Sequence, residues 1–169
     1  MSATPAMAQT PHAPPTVLVV DAHYDTRLML RLCLEMSGLH VTEAQDGSEA
    51  LRVACDSLPD VIAMDMWLPE VDGYEVCRRL REDQRTRLTP IVALTSLGMP
   101  KDVVRAWDAG CNAVLVKPSS PTALVTEVRR LLGRAPTVLE PFTIRPKPDR
   151  RRTDQPRKTH EPDRRRSRS

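Results

Sequence analysis

The feature that most constrains the fold is a repeated pattern: short apolar runs, each stopped by a polar residue able to do chemistry. Thr16–Val20 (TVLVV) runs into Asp21, Val61–Met64 into Asp65, Ile91–Leu94 into Thr95, and Ala113–Val116 into Lys117. Runs this short, rich in β-branched residues and without polar alternation, suit strands buried on both faces. His40–Ala44 reads as one further strand. Between the runs, apolar residues recur at helical spacing. The first helix is predicted from about Asp25 to Ser37, with Leu28, Leu32 and Met36 as its apolar stripe and Asp25 as its cap. Gly38 is placed for a left-handed ending.

A second helix is predicted over Gly47–Asp56, with Ala50, Leu51 and Ala54 on one side. The Asp72–Gly73 pair is a turn signal before a helix through Val76, Cys77 and Leu80. A helix over Lys101–Ala109 ends at Gly110, and Pro121 suits the first turn of a last one, whose apolar face is Leu124, Val128, Leu131 and Leu132 and which Gly133 ends. Five strands alternating with five helices imply an α/β domain. The expected architecture is (βα)5, a doubly wound five-stranded parallel sheet of flavodoxin-like form with helices on both faces.

The pattern occupies residues 16–133, enough chain to bury a core without staples. Residues 1–15 and 134–169 lack it and are expected to be disordered, the latter a Pro/Arg-rich basic tail. Charge divides at the same place. Residues 1–133 carry 13 basic and 17 acidic side chains, whereas residues 134–169 carry 12 basic and 5 acidic. A uniformly basic nucleic-acid-binding domain is thereby excluded, although a basic arm is not. No apolar run is long enough to span a membrane. The N-terminus lacks the basic start and apolar stretch of a secretory signal. Cys33, Cys55, Cys77 and Cys111 form no CxxC pair and read as reduced core thiols. A cytoplasmic location is expected.

In an open parallel sheet, ligands bind beyond the carboxyl ends of the strands. Asp21, Asp65, Thr95 and Lys117 should therefore meet at one edge. Two carboxylates attract a hard cation such as magnesium. A cation and a lysine together neutralise a phosphoryl group, a hydroxyl can hydrogen-bond it, and a carboxylate can itself accept it.

With those residues in view, the sequence resembles the response-regulator receiver domain of two-component signalling. VLVVD at 17–21, VIAMDMWLPEVDG at 61–73, IVALTS at 91–96 and AGCNAVLVKP at 109–118 carry the resemblance in order and spacing. It implies that Asp65 is the phosphoacceptor and that the Lys117 ammonium contacts the phosphoryl group. It implies that Thr95 is the hydroxyl that turns inward on phosphorylation, and that Ser96 is the small residue leaving the group room. Asp21, Asp65 and the backbone carbonyl of Trp67 would organise magnesium, and the Lys117–Pro118 peptide would be cis. A histidine kinase or histidine phosphotransfer protein would donate the phosphoryl group, and a downstream protein would read the switch. Such a chain is a signalling switch rather than an enzyme, and no helix-turn-helix output domain follows the receiver pattern.

Two positions depart from the family pattern. Ala22 stands where a second acidic residue adjoins Asp21, which should weaken the magnesium site. Val114 stands where an aromatic ring usually packs inward as the switch moves. His23 reads as an exposed loop residue rather than a ligand, since a lone histidine lacks partners. Trp107 is equally compatible with a partner surface and with burial. Two alternative functions stay open: a degenerate receiver binding partners without phosphorylation, and a receiver whose tail, 134–169, makes weak, nonspecific contact with nucleic acid or another polyanion.

Overall fold

Every apolar run forms a strand, and the strands assemble in parallel in the order β2-β1-β3-β4-β5. The computed structural model describes residues 13–96 and 99–133. Its elements are β1 (Thr16–Val20), α1 (Tyr24–Met36), β2 (His40–Ala44), α2 (Gly47–Ser57), β3 (Val61–Asp65), α3 (Gly73–Glu82), β4 (Ile91–Thr95), α4 (Pro100–Asp108), β5 (Ala113–Val116) and α5 (Pro121–Leu131). The expected (βα)5 architecture is the observed one. The disorder expected of 1–15 and 134–169 falls almost wholly outside the described residues. Among the described residues, no helix is long and apolar enough to cross a membrane.

Because strand side chains alternate between faces, each strand feeds two separate cores. Leu18, Val20, Ile62, Met64, Ile91, Ala93 and Val114 face α2, α3 and α4. Val17, Val19, Val61, Ala63, Val92, Leu94, Ala113 and Leu115 face the other way, with Leu30 and Leu34 of α1 and Leu124 and Val128 of α5. This explains why the runs show no polar alternation.

Helix α1 corrects two expectations. Its buried residues are Leu30 and Leu34, whereas Leu32 and Met36 of the four-residue stripe are exposed. Leucines two apart along this helix occupy opposite sides, so spacing alone could not choose between them. The N-cap is His23, and Asp25 lies exposed within the first turn. There its carboxylate complements the helix N-terminus without capping it. The other boundaries differ by one residue or less from expectation. Gly38, Gly110 and Gly133 all have positive φ at helix ends.

The cysteines divide. Cys77 on α3 and Cys111 before β5 are buried with their Sγ atoms 3.4 Å apart, while Cys33 and Cys55 are only half-buried. Contact with Cys111, then burial, pushes the Cys77 thiol well above the ordinary range. Trp107 is half-buried against the same core, with its Nε1 buried and unpartnered.

One arginine closes the lower end of this face. The Arg81 guanidinium donates to the carbonyls of Gly110 and Thr89, each at 2.8 Å, and to Asn112 Oδ1 at 2.8 Å. Asn112 Oδ1 also accepts from the Ile91 N–H at 2.9 Å. A single planar fork thus ties α3 to the segments entering β4 and β5.

Candidate functional site

The chain leaves β1 toward β2 on one side and reaches β3 on the other, so strand order reverses between β1 and β3. A crevice opens at such a reversal, beyond the carboxyl ends of the strands. Asp21 and Asp65 flank it, both buried. Lys117, at the end of β5, reaches across and donates to Asp65 Oδ2 at 2.8 Å and to Asp21 Oδ2 at 2.9 Å. Burial by itself pushes the Lys117 ammonium toward neutrality, but the hydrogen bonds to the two carboxylates outweigh it, and its pKa rises. The residue is a fixed cation at neutral pH, held between the two aspartate side chains.

The backbone holds these groups in place. The carbonyl of Asp21 accepts from Arg27 Nη1 at 2.7 Å, which pins the end of β1 to α1. Asp65 Oδ1 accepts from the Trp67 N–H at 3.0 Å, an Asx-type turn that fixes the Asp65 rotamer. The Trp67 indole is exposed. Gly73 brings α3 under the same turn: a Cβ there would lie 2.7 Å from the Asp65 carbonyl oxygen and 2.8 Å from Met66 Cα. The Asp72–Gly73 turn signal is therefore a packing requirement of the site.

Thr95 is fully buried at the end of β4. Its carbonyl accepts from the Lys117 N–H at 2.8 Å, which sets the hydroxyl-bearing residue beside the lysine. Ser96 follows, exposed. The Lys117–Pro118 peptide is cis, as the resemblance implies. Val114 lies apart from this edge, buried in the core shared with α3 and α4. Of the residues singled out in the sequence, Asp21, Asp65 and Lys117 meet directly, Thr95 and Trp67 adjoin them, and Val114 does not.

Two features were missed in the sequence. His23 is exposed as expected, yet it has partners: its N–H donates to Asp21 Oδ1 at 2.8 Å, and its Nδ1 lies 3.3 Å from the same oxygen. Asp21, His23 and Asp65 each present a metal-ligating atom within 4.8 Å of the others. The signal was available in its position immediately after Ala22. The second is a clamp from the β3–α3 loop to α4. Asp72 caps α3 by accepting from the Tyr74 N–H at 3.2 Å and bonds Arg105 Nη2 at 2.5 Å. The Arg105 guanidinium also stacks 3.8 Å over the buried Tyr74 ring. Nothing in the sequence pairs residues 33 positions apart.

The response regulator receiver domain model matches residues 17–129. The chain belongs to the response regulator receiver family. The polar-differentiation response regulator DivK of Brucella anthropi is 34% identical over 122 residues, which cover 72% of this chain and 99% of DivK. A putative response regulator of Chloroflexus aurantiacus superposes with a TM-score of 0.68 at 38% identity, covering 72% of this chain and 99% of that one. The receiver domain of the sensor histidine kinase PA1611 of Pseudomonas aeruginosa superposes at 0.67 and 32% identity, over 72% and 99% of the two chains. That receiver holds a magnesium ion coordinated in its active-site cleft. This chain spans about half the length of several transcriptional regulators that it also matches. Receiver domains are signalling switches rather than classical enzymes, and they bind magnesium at an acidic pocket. Here the donors at that pocket are two buried carboxylates and one imidazole, a set that fits a divalent cation.

Proposed function

We propose that Asp65 accepts a phosphoryl group from the phosphohistidine of a histidine kinase or histidine phosphotransfer protein, and that the chain signals in the cytoplasm by phosphorylation-dependent binding of a downstream protein. The observation that carries this reading is the Lys117 ammonium held between Asp21 and Asp65, at 2.9 and 2.8 Å. In the transfer, a carboxylate oxygen of Asp65 bonds to phosphorus while the bond from phosphorus to the donor's imidazole nitrogen breaks. The imidazole leaves, and an acyl phosphate remains. Lys117 offsets the charge delivered to the crevice, because its ammonium is already there and needs no reorganisation. The Thr95 hydroxyl turns toward the new oxygens, and Ser96 leaves them room.

Asp21, Asp65 and the Trp67 carbonyl are the residues assigned to a divalent cation, with Ala22 contributing no ligand. When bound, such an ion offsets charge on the phosphoryl oxygens. Without a carboxylate at position 22, magnesium is held more weakly than by a site with one more acidic ligand. The readout passes from Thr95 and Lys117 to α4, β5 and α5. With Val114 in place of a ring, we assign the coupling to the Asp72–Arg105 bond and the Arg105–Tyr74 stack, which join the acceptor loop to α4.

Incubation with a small phosphodonor and a divalent cation tests the reading by intact mass. The expected result is one phosphoryl adduct that needs the cation and is lost in Asp65→Asn. No adduct, under conditions that label another receiver, would leave a module that binds its partners without phosphorylation. The basic segment 134–169, carrying 12 basic and 5 acidic residues, adds a weak polyanion contact. Deleting it is expected to abolish retention on a polyanion at low salt and change nothing at high salt. Equal retention with and without the segment would refute that contact.

A further inference from the structure

The missing acidic ligand at position 22 is followed at once by a histidine, and the fold turns that histidine into the site. His23 is the N-cap of α1, with extended backbone at φ −87° and ψ 116°. Its own N–H is anchored on Asp21 Oδ1, which holds its main chain at the edge of the crevice. The ring then lies with Nδ1 3.3 Å from the same oxygen. Lys117 occupies Oδ2 of both aspartates, and Oδ1 of Asp21 is left on the imidazole side. Ligand atoms from Asp21, His23 and Asp65 already lie within 4.8 Å of one another. A transition ion about 2.0–2.2 Å from each nitrogen or oxygen donor needs them only slightly closer. The His23 ring is 77% exposed, so it is free to make that adjustment.

We infer that His23 supplies a nitrogen ligand beside Asp21 and Asp65, so that this receiver takes a divalent ion of the first transition row, manganese(II) serving as the probe, in preference to magnesium. Magnesium is a hard ion that keeps oxygen ligands. Exchanging a carboxylate for a neutral imidazole removes negative charge that magnesium relies on and adds a nitrogen donor that first-row ions accept; manganese(II), which gains least from it in that series, is the strictest probe of the class. The same change that weakens one ion therefore favours the other. The inference deepens the proposed phosphoacceptor reading and rests on it for the identity of the site, but its readout is metal binding alone.

The experiment uses the full chain at about pH 8, above the ordinary imidazole value. Manganese(II) and magnesium chloride are titrated separately, with calorimetry and the fluorescence of the exposed Trp67 as readouts. Pulsed electron paramagnetic resonance of the manganese-loaded protein reports any nitrogen ligand directly. The parent chain is expected to bind manganese(II) about tenfold or more tightly than magnesium and to show nitrogen modulation. His23→Ala should lose the modulation and most of the preference. Asp65→Asn should lose binding of both ions. The inference is overturned if neither ion binds, if His23→Ala keeps the modulation or the preference, or if manganese(II) still binds Asp65→Asn, which would place the ion elsewhere. Loss of the nitrogen signal in His23→Ala, in a chain that takes no phosphoryl group, would uphold the metal site and refute the phosphoacceptor reading.

Discussion

Gly73→Ala is expected to lower the urea midpoint sharply, by a loss of about 3 kcal/mol, at the upper end of what overpacking a core produces. The added Cβ would meet main-chain atoms on three sides: the Asp65 carbonyl oxygen at 2.7 Å, Met66 Cα at 2.8 Å and the Met66 carbonyl oxygen at 3.1 Å. A flexible side chain could move aside, but a strand end inside a parallel sheet cannot do so without giving up its ladder bonds. Met66 donates from its own N–H to the Leu94 carbonyl at 2.9 Å, so the disturbance reaches β4 as well. Gly38→Ala is the control. Its φ of +78° is unfavourable for alanine, but nothing lies within 4 Å of the new Cβ. About 1 kcal/mol is expected there. Equal midpoints for the two variants would show that α3 does not press on the end of β3.

Removing the lysine should be as large an effect with a different cause. Lys117→Met keeps much of the side-chain volume and leaves Asp21 and Asp65 facing each other without a cation, although both are buried. Breaking a buried pair by removing one partner costs about 3–5 kcal/mol. In chelator at neutral pH, the variant should melt well below the parent. Because the raised lysine pKa means the ammonium is held more firmly in the folded chain than in the unfolded one, the parent keeps this contribution below the ordinary lysine value of about 10.4. It loses it only as the pH climbs through the higher folded value. The difference between parent and variant should therefore be flat from pH 7 to about 10 and shrink above that. Adding manganese(II) should return part of the lost stability, since an ion that binds only the native carboxylates shifts the equilibrium by mass action. The parent should gain less, because its ammonium already occupies the two Oδ2 atoms. An unchanged melting curve in chelator would show that the carboxylates tolerate each other unaided.

Much of this was legible in the residues, for identifiable reasons. Strands buried on both faces cannot alternate, so TVLVV, VIAM, IVAL and AVLV announce themselves. A parallel sheet then forces their terminal residues to one edge, which is why Asp21, Asp65, Thr95 and Lys117 could be grouped without coordinates. What stayed hidden depends on rotation and on long-range contact. Leu28, Leu30, Leu32 and Leu34 present two opposed apolar sides on α1, and only packing against Val17, Val19 and Val41 selects Leu30 and Leu34. His23 looked solitary because its contact with Asp21 depends on the backbone turn after β1, and Asp65 comes near only when β3 pairs with β1. Arg81 and Arg105 looked like solvated charge on helices. One of them ties two main-chain segments to α3, and the other stacks on Tyr74.

The distribution of thiols has a practical side. Cys33 and Cys55 lie within reach of solvent, whereas Cys77 and Cys111 are sealed against each other beneath α3. An alkylating reagent therefore meets two populations in one unmodified molecule. The outer pair records how long the reagent has been present, and the inner pair records only the moments when α3 lifts from the sheet. The protein carries its own clock and its own gauge of breathing, with no foreign label attached.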